Sequence, residues 1–258
     1  MISKKVPMHI LLTNDDGVRA PGILAMYRQL SKIADVTVVA PDSERSSISQ
    51  AITLNHPIYH YSVPFDGKIK AHAISGTPAD CVKFGVAVVL KAKPDLIVSG
   101  INNGSNDGCS VFYSGTVGAA REGALMGIPS LAISLDSGSE PDFTVAAKVG
   151  VKAVRWAIAH RLPSGTFLNV NVPDVKERDI KGLILTRQCK VPIHGEFCQR
   201  QDPSGRKYYW LTGRPSAQRQ DQGTDTYALQ QKFAVMTPVL CDVTDHAFLN
   251  SINEARVE

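Results

Sequence analysis

The segment MHILLTNDDG, residues 8–17, is a short apolar run that ends in two adjacent aspartates. Similar runs, each closed by polar residues or glycine, recur along the chain and predict buried β-strands. They lie at residues 8–13, 36–40, 72–75, 95–99, 130–135 and 167–172. Because these runs are apolar almost throughout, we expect a parallel sheet that is covered on both faces.

Segments with helical periodicity lie between most of these runs. Apolar residues recur every three or four positions in residues 23–34 and 143–158. Thr77 followed by Pro78 predicts a capped helix start. The alternation of strands and helices predicts an α/β fold, with a doubly wound, mostly parallel sheet and helices on both faces.

The pattern changes in the last quarter of the chain. Residues 194–227 are rich in turn formers, charges and aromatic residues and have little helical periodicity. We therefore predict a Rossmann-like α/β catalytic core at residues 1–186 and a hairpin-bearing C-terminal extension, used in oligomerisation, at residues 187–258. The aromatic run at 208–210 favours packing on another subunit, but a hairpin folded back on its own domain stays open.

Composition limits the classes of function. The 258 residues are 43% hydrophobic and 20% charged, which is typical of a globular protein. The net charge is +4, and the basic residues are scattered apart from a loose concentration at 181–219. A clustered basic stripe is therefore missing, and we expect no specific binding of nucleic-acid duplexes.

Neither an export signal nor a membrane-spanning stretch is recognisable, because the first apolar run is short and ends in two aspartates. The five cysteines have unrelated spacings and no CxxC pair, as in proteins that keep reduced thiols. We expect a cytoplasmic protein that makes no contact with a membrane.

Polar, oxygen-rich segments follow three of the predicted strands: TNDDG (13–17), APDSERSS (40–47) and SGINNG (99–104). In doubly wound sheets, ligands bind beyond the carboxyl ends of the strands. The adjacent carboxylates Asp15 and Asp16 repel each other unless a cation neutralises them, and oxygen ligands favour Mg²⁺ or Mn²⁺ over Zn²⁺. A turn that merely caps the next helix is the alternative.

The segment YSGTVGAA, residues 113–120, predicts a helix that starts with small residues and two hydroxyl groups. The free N–H groups of such a start bind phosphate, although an ordinary helix cap has the same pattern. A metal site beside a phosphate site indicates hydrolysis of a phosphomonoester by a metal-activated water. The GxSxG, GxxxxGK[ST] and GxGxxG motifs of other enzyme classes are absent.

Five segments, in this order, resemble the SurE (survival protein E) family of 5′/3′-nucleotidases: ILLTNDDGVRAPGI, VVAPDSERS, SGTPADCVKFG, PDLIVSGINNG and YSGTVGAAREGALMGIPSLAISL. The resemblance extends from residue 8 to about residue 244. It implies a divalent metal ion, Mg²⁺ or Mn²⁺, bound by four side chains: Asp15, Asp16, Ser46 and Asn102. It implies a second group of residues around the substrate phosphate: Asn14, Ser114, Gly115 and Thr116.

The resemblance also implies the reaction and the assembly. We predict a metal-dependent phosphomonoesterase that hydrolyses nucleoside monophosphates, with Asp15 and Asp16 as catalytic residues. A homodimer or homotetramer that exchanges the C-terminal extension is implied. The loop at 105–111 departs from the family pattern, with Ser105 in place of a proline, and we expect it to alter substrate choice. The general base and the preferred nucleotide stay open.

Two other classes share part of this pattern. A receiver-like, Mg²⁺-binding signalling module also pairs acidic residues after its first strand, but it needs an aspartate where this chain has Ser99 and Gly100. An aspartyl-phosphate phosphatase uses a strand-end aspartate as nucleophile, but its two aspartates are separated by one residue. Asp15 and Asp16 are contiguous, which disfavours that class.

Overall fold

The computed structural model describes residues 8–137, 141–192, 194–214 and 221–252. The strands are β1 (His9–Thr13), β2 (Asp35–Pro41), β3 (His60–Asp66), β4 (Ile69–Ile74), β5 (Leu96–Asn103), β6 (Ser130–Asp136), β7 (Thr166–Pro173), β8 (Leu183–Leu185), β9 (His194–Gln201), β10 (Lys207–Arg214) and β11 (Ala234–Leu240). The α-helices are α1 (Pro21–Leu30), α2 (Pro78–Phe84), α3 (Gly115–Leu125), α4 (Phe143–His160), α5 (Asp225–Gln230) and α6 (His246–Ser251).

Nine strands form one sheet in the order β3-β4-β2-β1-β5-β6-β7-β11-β8. The pairs from β4 through β7 are all parallel, whereas β3 runs antiparallel to β4 and β11 runs antiparallel to β7. The predicted α/β class with a mostly parallel sheet is confirmed.

Helices cover both faces of the sheet, as alternate residues of β1 show. Ile10 and Leu12 belong to a buried cluster that includes residues of α1 and α4. Leu11 points the other way, into a cluster with residues of α2 and α3. Because strand residues alternate between faces, an apolar residue at every position of a strand requires this two-sided cover.

The strand order reverses beside β1, which lies between β2 and β5. Thr13, the last residue of β1, is in register with Ser99 of β5. The segment that leaves β1 therefore lies beside the last residues of β5, which ends at Asn103, at the point where doubly wound sheets bind ligands.

The strands of the C-terminal part belong to two different sheets. Strands β9 and β10 form a separate antiparallel hairpin, whereas β11 returns to the main sheet between β7 and β8. The sheet thus takes strands from both sides of residue 187, and the division into a core and an extension stays a prediction. The ends of the two predicted parts, 1–7 and 253–258, lie outside the described residues.

No helix of the described part is long and apolar enough to cross a bilayer.

The predicted start of α2 is confirmed, with Thr77 as its N-cap and Pro78 as its first residue. The Thr77 hydroxyl accepts the Asp80 N–H at 3.1 Å and donates to the Ala51 carbonyl at 2.6 Å. The Asp80 carboxylate in turn accepts the Thr77 N–H at 2.9 Å. This reciprocal cap joins the start of α2 to the loop after β2.

Thr77→Ala should lower the free energy of unfolding by about 1 to 2 kcal/mol, because the capping hydroxyl is lost and the Ala51 carbonyl loses its donor. Thr77→Ser keeps the hydroxyl and should cost less than half of that. Urea unfolding followed by circular dichroism measures both variants. Equal stabilities of the two variants would contradict the capping role.

Candidate active site

One cavity of about 750 Å³ opens at the carboxyl edge of the sheet. Four residues singled out in the sequence border it, each from a different segment: Asp15 after β1, Ser46 after β2, Asn102 at the end of β5, and Ser114 at the start of α3. The parallel sheet thus brings together side chains that are up to 99 positions apart.

Asp15 is held by the first turn of α3. Only 4% of it is exposed, and its carboxylate accepts the Thr116 N–H at 3.1 Å and the Thr116 hydroxyl. A Cβ at Gly115 would lie 2.9 Å from the Asp15 Cβ, so only glycine permits this approach. Burial raises the pKa of Asp15, and the Thr116 hydrogen bond opposes that rise.

Asp16 is partly buried beside it and accepts the Asn103 N–H at 3.2 Å. Burial first, and then the charge of Asp15, raise the pKa of Asp16 to about 6. Both carboxylates therefore resist ionisation in this site, and together they make it a place where a cation lowers the free energy.

Ser46 and Asn102 are further oxygen-bearing residues that border the same cavity as Asp15. Ser46 is exposed and donates to Glu44 Oε1 at 2.5 Å. The loop before it is tied to β1 because the Arg45 N–H donates to the Asp15 carbonyl at 2.8 Å. Asn102 donates its amide nitrogen to the Gly104 carbonyl at 2.7 Å, which leaves its carbonyl oxygen as the atom suited to a cation.

The chemistry of this donor set fits a hard divalent ion, because all four side chains offer oxygen. Among the described residues, no group of three or more His, Cys, Asp or Glu side chains could hold a metal ion. A cation at Asp15 and Asp16 would thus need the hydroxyl of Ser46 and the amide oxygen of Asn102.

The residues predicted around a phosphate are not all on the cavity surface. Ser114 borders the cavity and accepts the Val117 N–H at 3.1 Å, whereas Gly115 and Thr116 are buried behind it. Asn14 is fully buried and closes the turn after β1 by donating to the Gly17 carbonyl at 2.9 Å. The structure thus places Asn14 and Thr116 as supports of the two aspartates.

Sequence reasoning missed a buried amide cluster that holds the loop after β5. The Asn106 side chain donates to Ser134 Oγ at 2.8 Å, its N–H donates to Asn171 Oδ1 at 2.7 Å, and its carbonyl accepts Asn169 Nδ2 at 2.7 Å. These contacts fix the segment that borders the cavity from residue 102 to 106. The alternate asparagines in FLNVNV (167–172), within an apolar strand, were the available signal.

The same loop is also tied to the C-terminal part of the chain. Asp225 accepts the Gly108 N–H at 2.9 Å and the Cys189 N–H at 2.8 Å. Thr226 donates its hydroxyl to Asp107. Segments near 108, 189 and 225 thus meet at one buried aspartate, which no local pattern in the sequence indicated.

A third feature that the sequence did not reveal is the contribution of the hairpin to the cavity lining. The hairpin contributes Gly195, Phe197 and Leu211 to the lining of the cavity that Asp15, Asn102 and Ser114 also border. The sequence had indicated only that hairpin aromatics pack on a subunit or on their own domain.

Comparisons with known proteins find relatives over most of the chain. The family model described as Survival protein SurE matches residues 10–194. The "5′-nucleotidase SurE" of Thermosipho melanesiensis is 45% identical, over 96% of this chain and 97% of its own length. That of Pelobacter propionicus is 45% identical over 95% of this chain and 98% of its own length.

A solved structure agrees as well. The crystal structure of the SurE protein from Aquifex aeolicus has a TM-score of 0.82 and 37% sequence identity, and the match covers 95% of this chain and 98% of that one. The resemblance inferred from the five sequence segments is thereby confirmed, and the chain belongs to the SurE family.

Proposed function

We propose that this chain is a 5′-nucleotidase that hydrolyses nucleoside monophosphates to nucleoside and phosphate with the help of a divalent cation. The observation that carries the proposal is Asp15, which borders the cavity and lies against the first turn of α3, with the carboxylate of Asp16 next to it in the chain. The curated relatives are named 5′-nucleotidases, and this chain matches them over nearly their full length, which supports the same reaction.

We propose that Mg²⁺ or Mn²⁺ is held by Asp15, Asp16, Ser46 and Asn102. The fit rests on the all-oxygen donor set and on the raised pKa of both aspartates. When bound, such an ion supplies Lewis acidity, which lowers the pKa of water and offsets charge on the phosphate oxygens.

The chain's own groups bind and orient the phosphate. The Ser114 hydroxyl accepts the Val117 N–H, so its proton is available for a phosphate oxygen in the cavity. The start of α3 adds the partial positive charge of a helix N-terminus, and α3 has 11 residues. A phosphate in the cavity would lie beside Ser114 at this helix start, with the cation between it and the carboxylate pair.

The two aspartates have different surroundings, which suggests different roles. Both oxygens of Asp15 are engaged by Thr116, so its orientation is fixed. Asp16 is less buried and accepts the Asn103 N–H, so it is the carboxylate more open to solvent and to an attacking water. The engaged oxygens of Asp15 also count against its use as a nucleophile in an aspartyl-phosphate mechanism.

We further propose that the chain assembles as a homodimer or homotetramer through its C-terminal part. Support comes from large apolar side chains that this part exposes, namely Tyr209 and Trp210 on the hairpin and Val243, Phe248 and Leu249 in and before α6. Such exposure is unusual on a monomer surface and is typical of an interface.

Removal of divalent ions should abolish phosphate release from nucleoside 5′-monophosphates. We expect EDTA-treated, dialysed protein to be inactive, and added Mg²⁺ or Mn²⁺ to restore activity, because the two carboxylates cannot bind a phosphate without a cation between them. A phosphate-release assay with AMP measures this. Activity that survives complete chelation would refute the metal dependence.

Asp16→Asn should remove activity and change the pH dependence of stability. In the metal-free folded state the Asp16 pKa is about 6, above its usual 3.8, so ionisation destabilises the fold as pH rises through this interval. At pH 7.5 the free energy of unfolding of the metal-free variant should therefore be higher than that of the metal-free wild type by about 1 to 2 kcal/mol, after allowance for solvent screening. At pH 3.5 this difference should vanish.

The control for this variant is Asp35→Asn, an exposed aspartate at the opposite, amino end of β2. It should keep wild-type activity and show no such pH-dependent gain. Mg²⁺ should raise the melting temperature of the wild type and of Asp35→Asn but not that of Asp16→Asn. If Asp16→Asn stays active, or if Mg²⁺ stabilises it as it does the wild type, Asp16 is not a metal ligand.

A further inference from the structure

We propose that the β9–β10 hairpin forms the nucleobase-binding wall of the site, with Phe197 and Leu211 as the residues that select nucleotides over other phosphate esters. The proposal rests on the function proposed above and adds the part of the substrate that this surface would contact. It assigns the hairpin a role in substrate recognition in addition to any role in assembly.

The cavity is large enough to hold more of a substrate than its phosphate group. Its volume of about 750 Å³ lies in the range of pockets that enclose whole small-molecule ligands. The side nearest the sheet edge is polar, with Asp15, Asn102 and Ser114. The hairpin side offers Phe197 and Leu211. A nucleoside monophosphate has the same division, with an anionic group at one end and a flat aromatic base at the other.

The register of the hairpin presents both apolar residues on one face. Phe197 and Leu211 are directly opposite each other in the antiparallel pair, so their side chains project to the same side. Gly195 lies two positions before Phe197 on that face. A Cβ there would lie 2.5 Å from Leu211 Cδ1, so the absence of a side chain at Gly195 makes room for Leu211.

Both side chains are largely exposed in the single chain. Phe197 is 71% exposed and Leu211 is 64% exposed, although both border the cavity. Burial of such surface against a planar base removes apolar area from water, and stacking of bases on aromatic side chains is favourable for every base. The wall therefore favours substrates that carry a base and does not by itself choose among bases.

Tyr113 connects the two sides of the cavity. It directly precedes the helix cap Ser114, is 61% exposed and borders the same cavity. Its backbone is fixed because the Tyr113 carbonyl accepts the Ser49 N–H at 2.8 Å. An aromatic ring next to the phosphate end and an apolar wall on the hairpin thus border one continuous space.

The test compares AMP with ribose 5-phosphate, which carries the same phosphate and sugar but no base. We expect the wild type to have a higher kcat/KM for AMP, and Phe197→Ala to lower the ratio of the two kcat/KM values about tenfold, mainly through KM for AMP. Phe197→Tyr should restore most of the ratio because it keeps an aromatic ring.

The matched control is Trp210→Ala. Trp210 is 59% exposed, neighbours Leu211 in β10 and projects from the opposite face of the hairpin, since adjacent strand residues alternate. It should leave the ratio unchanged. Size-exclusion chromatography of all variants separates an effect on assembly, which both alanine variants would share, from an effect on the wall.

The outcomes are distinguishable. A wild type that hydrolyses both substrates, with the same ratio in Phe197→Ala as in the wild type, overturns the base wall and leaves the phosphatase reaction standing. If Trp210→Ala lowers the ratio of kcat/KM for AMP to that for ribose 5-phosphate as much as Phe197→Ala does, the base wall is also overturned. A wild type that hydrolyses neither substrate with Mg²⁺ or Mn²⁺ overturns the proposed function and the wall with it.

Discussion

The repulsion between two adjacent, desolvated carboxylates is the constraint around which this site is built. Asp15 is almost fully buried, and Asp16 has a pKa of about 6 because burial and the neighbouring charge both oppose its ionisation. The fold offsets part of this cost with hydrogen bonds from Thr116 and from the Asn103 N–H. Each of these donors comes from a different strand end or helix start, so the pair depends on the whole edge of the sheet.

The topology explains why such donors are available. Because β1 lies between β2 and β5, the segments that leave these strands, together with the start of α3, surround one crevice. Parallel strands direct their carboxyl ends to the same edge, and a helix that follows directs its N-terminus there too. Gly115 permits α3 to approach Asp15 closely, and Asn14 closes the turn that presents both aspartates.

The fold and the strand-end motifs were predictable because their signals are local. Apolar runs, the cap at Thr77 and the contiguous Asp15 and Asp16 are each visible within a few residues of sequence. The contacts of Asn106 with Asn169 and Asn171 were not, because they join positions 63 and 65 residues apart. The return of β11 to the sheet and the hairpin wall depend in the same way on tertiary packing, which leaves only a weak trace in a single sequence.

The hydrogen bond between Gly108 and Asp225 has a consequence for the order in which the chain folds during synthesis. The two residues are 117 positions apart, yet Asp225 holds the loop that borders the catalytic cavity. A chain emerging from the ribosome can pair β1, β2 and β5 early, since domains fold from the N-terminus during synthesis. The Asn106 contacts can form once β6 and β7 have been made, but the Gly108 end of the loop lacks Asp225 until α5 has been made. The loop that borders the cavity therefore gains its last anchor late in translation.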